Sequence, residues 1–183
     1  MTKTLRLSLA LPLALIAATL TLIGCETMTP DDFKDHKPKL DLFDYFQGQT
    51  RAWGLFEDRF GKVRRQFQVD IHGTVADGVL TLDESFRYDD GELASRVWTI
   101  RRDGPDGYIG TAPDVIGEAR GRAAGNALNW GYTLDLPVGG STWRVAFDDW
   151  MFLQPDGVML NRATISKLGL EIGSVTLSFS KQP

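Results

Sequence analysis

The residues best suited to chemistry are arginines set among large aromatic rings. Arg96 stands two positions before Trp98, Arg144 and Asp148 precede Trp150 in one alternating segment, and Arg162 falls in the next. Trp130 and Tyr132 occupy alternate positions of another segment. An arginine facing a damp, partly apolar cavity can hold a carboxylate or phosphate by two parallel hydrogen bonds, while rings pack on the apolar remainder of a guest. A water-facing strand rarely needs Trp, and a dry core rarely accepts Arg or Asp. Arg96, Trp98, Trp130, Tyr132, Arg144, Asp148, Trp150 and Arg162 are therefore the candidate ligand-binding residues. The alternative is structural: Arg96 and Glu84 pair across two strands on the outer face, with Trp98 covering a core edge.

The acidic pairs and histidines make a weaker case for catalysis. Asp148 and Asp149 are adjacent, so a strand sends them to opposite faces and they cannot act as one dyad. A single buried Asp paired with an arginine is the simpler expectation. Asp89-Asp90-Gly91 reads as turn chemistry. His36 and His72 have no spacing that joins them to other metal ligands, and no nucleophile motif accompanies them. Asp114-Val-Ile-Gly-Glu-Ala-Arg-Gly121 has spaced glycines but no following helix, so they bend a strand or admit a close backbone approach. No catalytic residue, metal or cofactor is expected.

The elements that must carry these residues are strands. Val63, Arg65, Phe67, Val69 and Ile71 alternate with polar neighbours, and so do Leu128, Trp130, Tyr132, Leu134 and Leu136. Segments at 51–59, 62–72, 78–88, 92–101, 108–112, 115–123, 127–136, 141–153, 158–166 and 170–181 are divided by turn residues. One face of 141–153 carries Arg144, Ala146, Asp148, Trp150 and Phe152. The other carries Trp143, Val145, Phe147, Asp149, Met151 and Leu153. About eight to ten such strands in a meander predict an all-β fold, a single antiparallel up-and-down barrel with room for packed side chains or one small ligand. Leu40–Phe46 predicts a short helical turn or a plug across a barrel mouth.

The N-terminus has a different character. Lys3 and Arg6 precede an apolar stretch from Leu7 to Leu22, and no acidic residue appears before Glu26. A basic start and a short apolar run predict a secretory signal over residues 1–24. The run ends in Leu22-Ile23-Gly24-Cys25, which resembles the lipobox of bacterial lipoproteins, with Ile23 a mild departure. The resemblance implies cleavage before Cys25, acylation of Cys25 (palmitate among the chains) and membrane anchoring. Cys25 is the single cysteine of the chain. Glu26, where Asp would favour retention in the inner membrane, implies the periplasmic face of the outer membrane. Residues 25–41 are polar and read as a lipidated tether, leaving 42–183 as the barrel domain. Without Lys3 and Arg6, the 20 basic side chains become 18 against 24 acidic ones, a mature charge of −6. Such a domain is a poor match for nucleic acid.

From about Leu40 onward the chain resembles a family of uncharacterised proteobacterial lipoproteins, domain of unknown function 3833. The resemblance is carried by Tyr45-Phe46-x-Gly48, Ala52-Trp53-Gly54, Asp83-Glu84-x-Phe86-x-Tyr88-Asp89-Asp90-Gly91, Arg96-x-Trp98 and Asp114-Val115-x-Gly117-x-Ala119-x-Gly121. Gly125-Asn126-Ala127-Leu128-Asn129-Trp130, Asp148-Asp149-Trp150-Met151 and Asn161-Arg162 with Ser166-Lys167 extend it. The family implies no settled activity. Its genes often neighbour genes for fatty-acid modification, which points toward lipids. The barrel also resembles the calycin group, which includes lipocalins, a fold-level analogy. The expectation is an outer-membrane-anchored lipoprotein that binds or carries a small amphiphilic, lipid-like ligand. The alternatives are an envelope assembly protein with a filled barrel and unknown protein partners, or an enzyme on a lipid-like substrate using Asp148 or Asp149.

Overall fold

The computed structural model describes residues 27–138 and 140–183. Cys25 and the expected signal over residues 1–24 lie outside the described residues. Ten strands follow one another in chain order: β1 (Gly48–Asp58), β2 (Val63–Ala76), β3 (Val79–Tyr88), β4 (Leu93–Asp103) and β5 (Gly107–Thr111), then β6 (Ala119–Ala124), β7 (Ala127–Val138), β8 (Ser141–Leu153), β9 (Met159–Lys167) and β10 (Leu170–Lys181). Each pairs antiparallel with its sequence neighbours, and β1 pairs β10, so the sheet closes into a barrel with no free edge. The expected all-β meander is the observed fold.

Local chemistry sets the strands and their ends. Alternation of apolar and polar residues gives each strand one inward and one outward face. The hairpins turn on residues suited to left-handed backbone, as at Asp77-Gly78, where φ is 51° and 75°. Asp90 and Gly91 form the β3–β4 turn, with the Glu92 backbone N–H donating to Asp90 at 3.0 Å.

The two ends of the barrel differ. At one end the chain enters through α1 (Leu42–Phe46), a single turn capped by Asp41, which accepts from the backbone N–H groups of Phe43 (2.9 Å) and Asp44 (3.3 Å). Leu42, Phe43, Tyr45 and Phe46 are all buried, so the turn plugs this end. Phe46 lies edge-on to Phe179, and Phe43 stacks on Tyr108. Gly73 faces the Phe46 carbonyl so closely that a Cβ there would collide with it. The opposite end carries the β1–β2, β3–β4, β5–β6, β7–β8 and β9–β10 connections and forms the mouth.

The expected tether 25–41 is described from residue 27 onward. Residues 30–41 pack against the barrel near its plugged end. Pro30–Phe33 form a 3₁₀ turn, Asp31 accepts two hydrogen bonds from Arg122 (2.6 and 2.9 Å), and Leu40, 1% exposed, donates its N–H to the Gly125 carbonyl at 2.8 Å. Phe33 lies edge-on to Trp150 and Phe152 on the outer wall of β8. Polarity alone does not reveal the packing of Phe33, an isolated apolar residue with no period of its own.

Candidate functional site

The interior is hollow. Between the α1 plug and the mouth lies a cavity of about 850 Å³. That volume is within the range of small-molecule sites, roughly 300–1,000 Å³. One wall is apolar, built from Phe56 of β1, Phe67 and Val69 of β2, and Val175, Leu177 and Phe179 of β10. The other wall bears polar groups from β3, β4, β7, β8 and β9 together with Asp114 of the β5–β6 connection.

Arg96 sits at the centre of this polar wall. Its Nε donates to Glu84 at 2.9 Å across the β3–β4 pair, and a second nitrogen lies 3.5 Å from Asp114. The rings of Trp98 and Phe86 flank its guanidinium at 5.2 and 5.5 Å. Burial opposes the arginine's charge, but Glu84, Tyr132 and Asp114 outweigh it and hold the group charged. Burial pushes the Glu84 carboxyl above its ordinary range, against the pull of Arg96.

A second cluster lies deeper along β8. Asp149, 6% exposed, accepts from Asn161 Nδ2 of β9 and from the Tyr132 hydroxyl at 3.4 Å. Burial pushes its carboxyl up to about 6, against those two hydrogen bonds and the charge of Arg96. The Tyr132 hydroxyl is pushed well above its usual range by burial and by Asp149. Asn161 Nδ2 also donates to the Trp150 carbonyl at 3.0 Å. Both of its amide hydrogens thus go to acceptors, which fixes the orientation of the amide. Its oxygen is left with no partner among the described residues.

Glycines make room for the aromatic part of this wall. A Cβ at Gly110 would stand 2.8 Å from the Trp130 ring, and one at Gly121 would collide with it. The close approach expected from the Asp114–Gly121 segment is therefore an approach of backbone to Trp130. Trp98 meets Trp130 and Tyr132 edge-on, and Tyr132 stacks on Phe147 at 4.9 Å.

The eight sequence candidates divide evenly. Arg96, Trp98, Trp130 and Tyr132 line the cavity. Arg144, Asp148, Trp150 and Arg162 lie on the outer face of β8 and β9, and their assignment to the cavity is corrected. Arg144 is paired with its cross-strand neighbour Asp135 at 2.8 Å. Asp148 accepts from Asn129 at 2.6 Å. Trp150 is buried on the outside because Phe33 covers it and Phe152 stacks beside it. Arg162, opposite Trp150 in the β8–β9 register, is exposed. The inward face of β8 is the one with Asp149. The Glu84–Arg96 pair does form, but on the inner face rather than the outer one. Sequence reasoning missed Asn161, although it stands in phase with Met159, Ala163 and Ile165, all buried. His72 pairs with Gln49 at 3.0 Å on an exposed stretch. Among the described residues no three His, Cys, Asp or Glu side chains gather to hold a metal.

The mouth has its own character. Arg65 lies over the Tyr88 ring at 3.6 Å and pairs with Asp90 (2.8 Å) and Glu92 (2.7 Å). Phe60, Val63, Leu93, Ile116, Leu168 and Leu170 are exposed at this end, more than half of the 11 large apolar side chains exposed among the described residues. The entrance is therefore apolar at its rim.

A family model described as "Protein of unknown function (DUF3833)" matches residues 19–181. The chain belongs to this family. No curated protein matches the sequence. Among solved structures, the barrel of this family member is similar to an S-type phycobiliprotein lyase from Guillardia theta, with a TM-score of 0.55 at 12% identity. The likeness covers 77% of this chain and 90% of that one and shows a shared lipocalin-like barrel.

Proposed function

We propose that this protein is a lipid-anchored envelope protein that binds or carries a small amphiphilic, lipid-like molecule inside its barrel. The observation that carries the reading is the cavity of about 850 Å³ with one apolar and one polar wall, closed at one end and open at an apolar rim. An apolar wall removes a tail from water, at roughly 25 cal/mol per Å² of apolar surface. The polar wall gives the head its partners. A filled-barrel assembly role does not account for so much internal space.

Anchoring is proposed on the sequence of residues 1–25, read as a signal and lipobox, with the periplasmic face of the outer membrane as the location. Residues 30–41 support it by lying against the plugged end, which leaves the mouth unobstructed by the segment that leads from the anchor. Labelled palmitate supplied to the host is expected in the wild-type protein and not in a Cys25→Ser variant. Label in the variant would sink the anchor.

The binding reading is tested by native mass spectrometry of the protein taken from its own host. A discrete co-purifying small molecule is expected, and a Leu177→Trp variant, which fills the apolar wall, is expected to lose it. Protein that is ligand-free and fails to bind N-phenylnaphthylamine, a neutral apolar fluorophore, would overturn the proposal. A second reading, an enzyme on a lipid-like substrate, rests on Asp149, whose carboxyl near 6 suits proton transfer at neutral pH. Its test is conversion of a bound ligand by the wild-type protein and not by Asp149→Asn.

A further inference from the structure

Resting on the binding reading, the character of the ligand's polar end follows from which groups of the cavity are already satisfied. Two arginines and four carboxyl groups line the cavity, with no lysine or histidine among them. Both arginines are already charge-paired: Arg65 with Asp90 and Glu92, Arg96 with Glu84 and, at 3.5 Å, Asp114. A ligand carboxylate or phosphate at either arginine would crowd a further negative charge against the two carboxylates already beside it. Glu84 and Asp114 thus disfavour the anion-gripping role expected of Arg96.

The uncommitted groups on the polar wall are acceptors; the unpartnered donor of the lining, Arg65 Nε, stands at the mouth, where Asp90 and Glu92 already balance its charge. Asn161, 2% exposed, turns both hydrogens toward protein acceptors and keeps an unpartnered oxygen. Asp149 lies directly beside it, with a long 3.4 Å bond from Tyr132 as the second contact of its carboxylate. Asp114 likewise has one buried oxygen with no hydrogen-bond partner among the described residues. A buried acceptor without a donor is costly, and a ligand that donates to it recovers that cost. The charged groups near Asp149 are Arg96 and Glu84, already paired with each other, and its neighbour Asp148 on the outer face, so among the described residues no unpaired cation competes for it.

We infer that the cavity selects an amphiphile whose head donates hydrogen bonds and carries no negative charge, with a protonated amine favoured most, held by Asp149 and the Asn161 oxygen. Hydroxyl heads satisfy the same acceptors without charge assistance and rank second. Carboxylate heads rank last.

Three probes with one tail separate these heads: decylamine, decanol and decanoate, each displacing N-phenylnaphthylamine from the full-length protein at about pH 7.5. Decylamine is expected to displace the fluorophore at a concentration at least about tenfold below decanoate, with decanol between, as one charge-assisted hydrogen bond predicts. Asp149→Asn is expected to bring amine and alcohol to within about threefold while fluorophore binding persists, which shows that the barrel is intact. Decanoate binding as tightly as decylamine would overturn the head assignment and leave the cavity's binding role standing. An amine preference unchanged in Asp149→Asn would also overturn it. Failure of the fluorophore and all three probes to bind would remove the binding reading itself, and the head assignment with it.

Discussion

Replacing Asp149 with Asn should make the protein more stable at neutral pH and leave it nearly unchanged in acid. The carboxyl is buried on the inner face of β8, where burial lifts it from 3.8 to about 6. A rise of about two units corresponds to roughly 3 kcal/mol between the protonated and ionised states. The unfolded chain ionises this group near its ordinary value, while the folded protein holds the proton until about pH 6. Stability conferred by the folded-state proton is thus complete below about pH 4 and is lost as pH rises through 6. An asparagine presents an oxygen to Asn161 and an amide to the Tyr132 hydroxyl, so it fills the site without the charge. The variant should gain up to about 3 kcal/mol at pH 8, a rise in Tm of roughly 6–12 °C for a domain of this size. At about pH 4.5 most of the difference should vanish. Glu84 shifts in the same direction but is present in both proteins, so its pH dependence cancels in the comparison. Urea and thermal denaturation followed by tryptophan fluorescence at the two pH values measure this directly. An Asn variant less stable than wild type at pH 8, or a difference that does not change with pH, would refute the reasoning.

The other expectations concern the surrounding scaffold and the site's titration. Arg96→Met should cost roughly 3–5 kcal/mol at neutral pH, since it leaves buried Glu84 and neighbouring Asp114 without their cation; adding Glu84→Gln should restore much of it in a double-mutant cycle. Gly73→Ala should cost about 1–3 kcal/mol and speed proteolysis within residues 30–46, because the added Cβ pushes on the Phe46 carbonyl and loosens the plug. Phe33→Ala should shift tryptophan emission to the red and cost about 1–2 kcal/mol, because Trp150 loses its cover on the outer wall. The preference for decylamine over decanol should fade as pH falls through about 6, where Asp149 takes up its proton, and titration of probe displacement reads it.

A carboxylate expected to weaken the fold at neutral pH, lodged in a cavity beside an unpartnered acceptor, is consistent with the proposed binding role. The outer ion pairs differ in kind. Arg144–Asp135 and Arg122–Asp31 have good bidentate geometry but stand in water, where such pairs add little to stability. Arg96–Glu84 is shielded, with side-chain exposures of 23% and 11%, and ties β3 to β4 on the polar wall.

The meander, the strand count and most strand ends were legible in the chain, because alternation and turn residues act over a few positions. Strands 141–153 and 170–181 were delimited as they are observed. The short helical turn at Leu42–Phe46 was legible from its clustered apolar residues. The inner face of β8 was not, since both faces carry an acid and aromatic rings. Trp150 has the apolar area of an interior residue, and Phe33, from the other end of the described chain, gives it cover on the exterior instead. Arg96 has the donors to grip an anion, but Glu84 lies across the β3–β4 register and Asp114 reaches in from the β5–β6 connection.

Periodicity and turn chemistry, local properties of the chain, determined that this protein forms an antiparallel sheet of about ten strands. Closure of β1 on β10, the direction of each strand's two faces, the cavity volume and the pairing of its charges were decided only in three dimensions. Each of those depends on residues far apart in sequence meeting across the barrel, where register and side-chain volume act together.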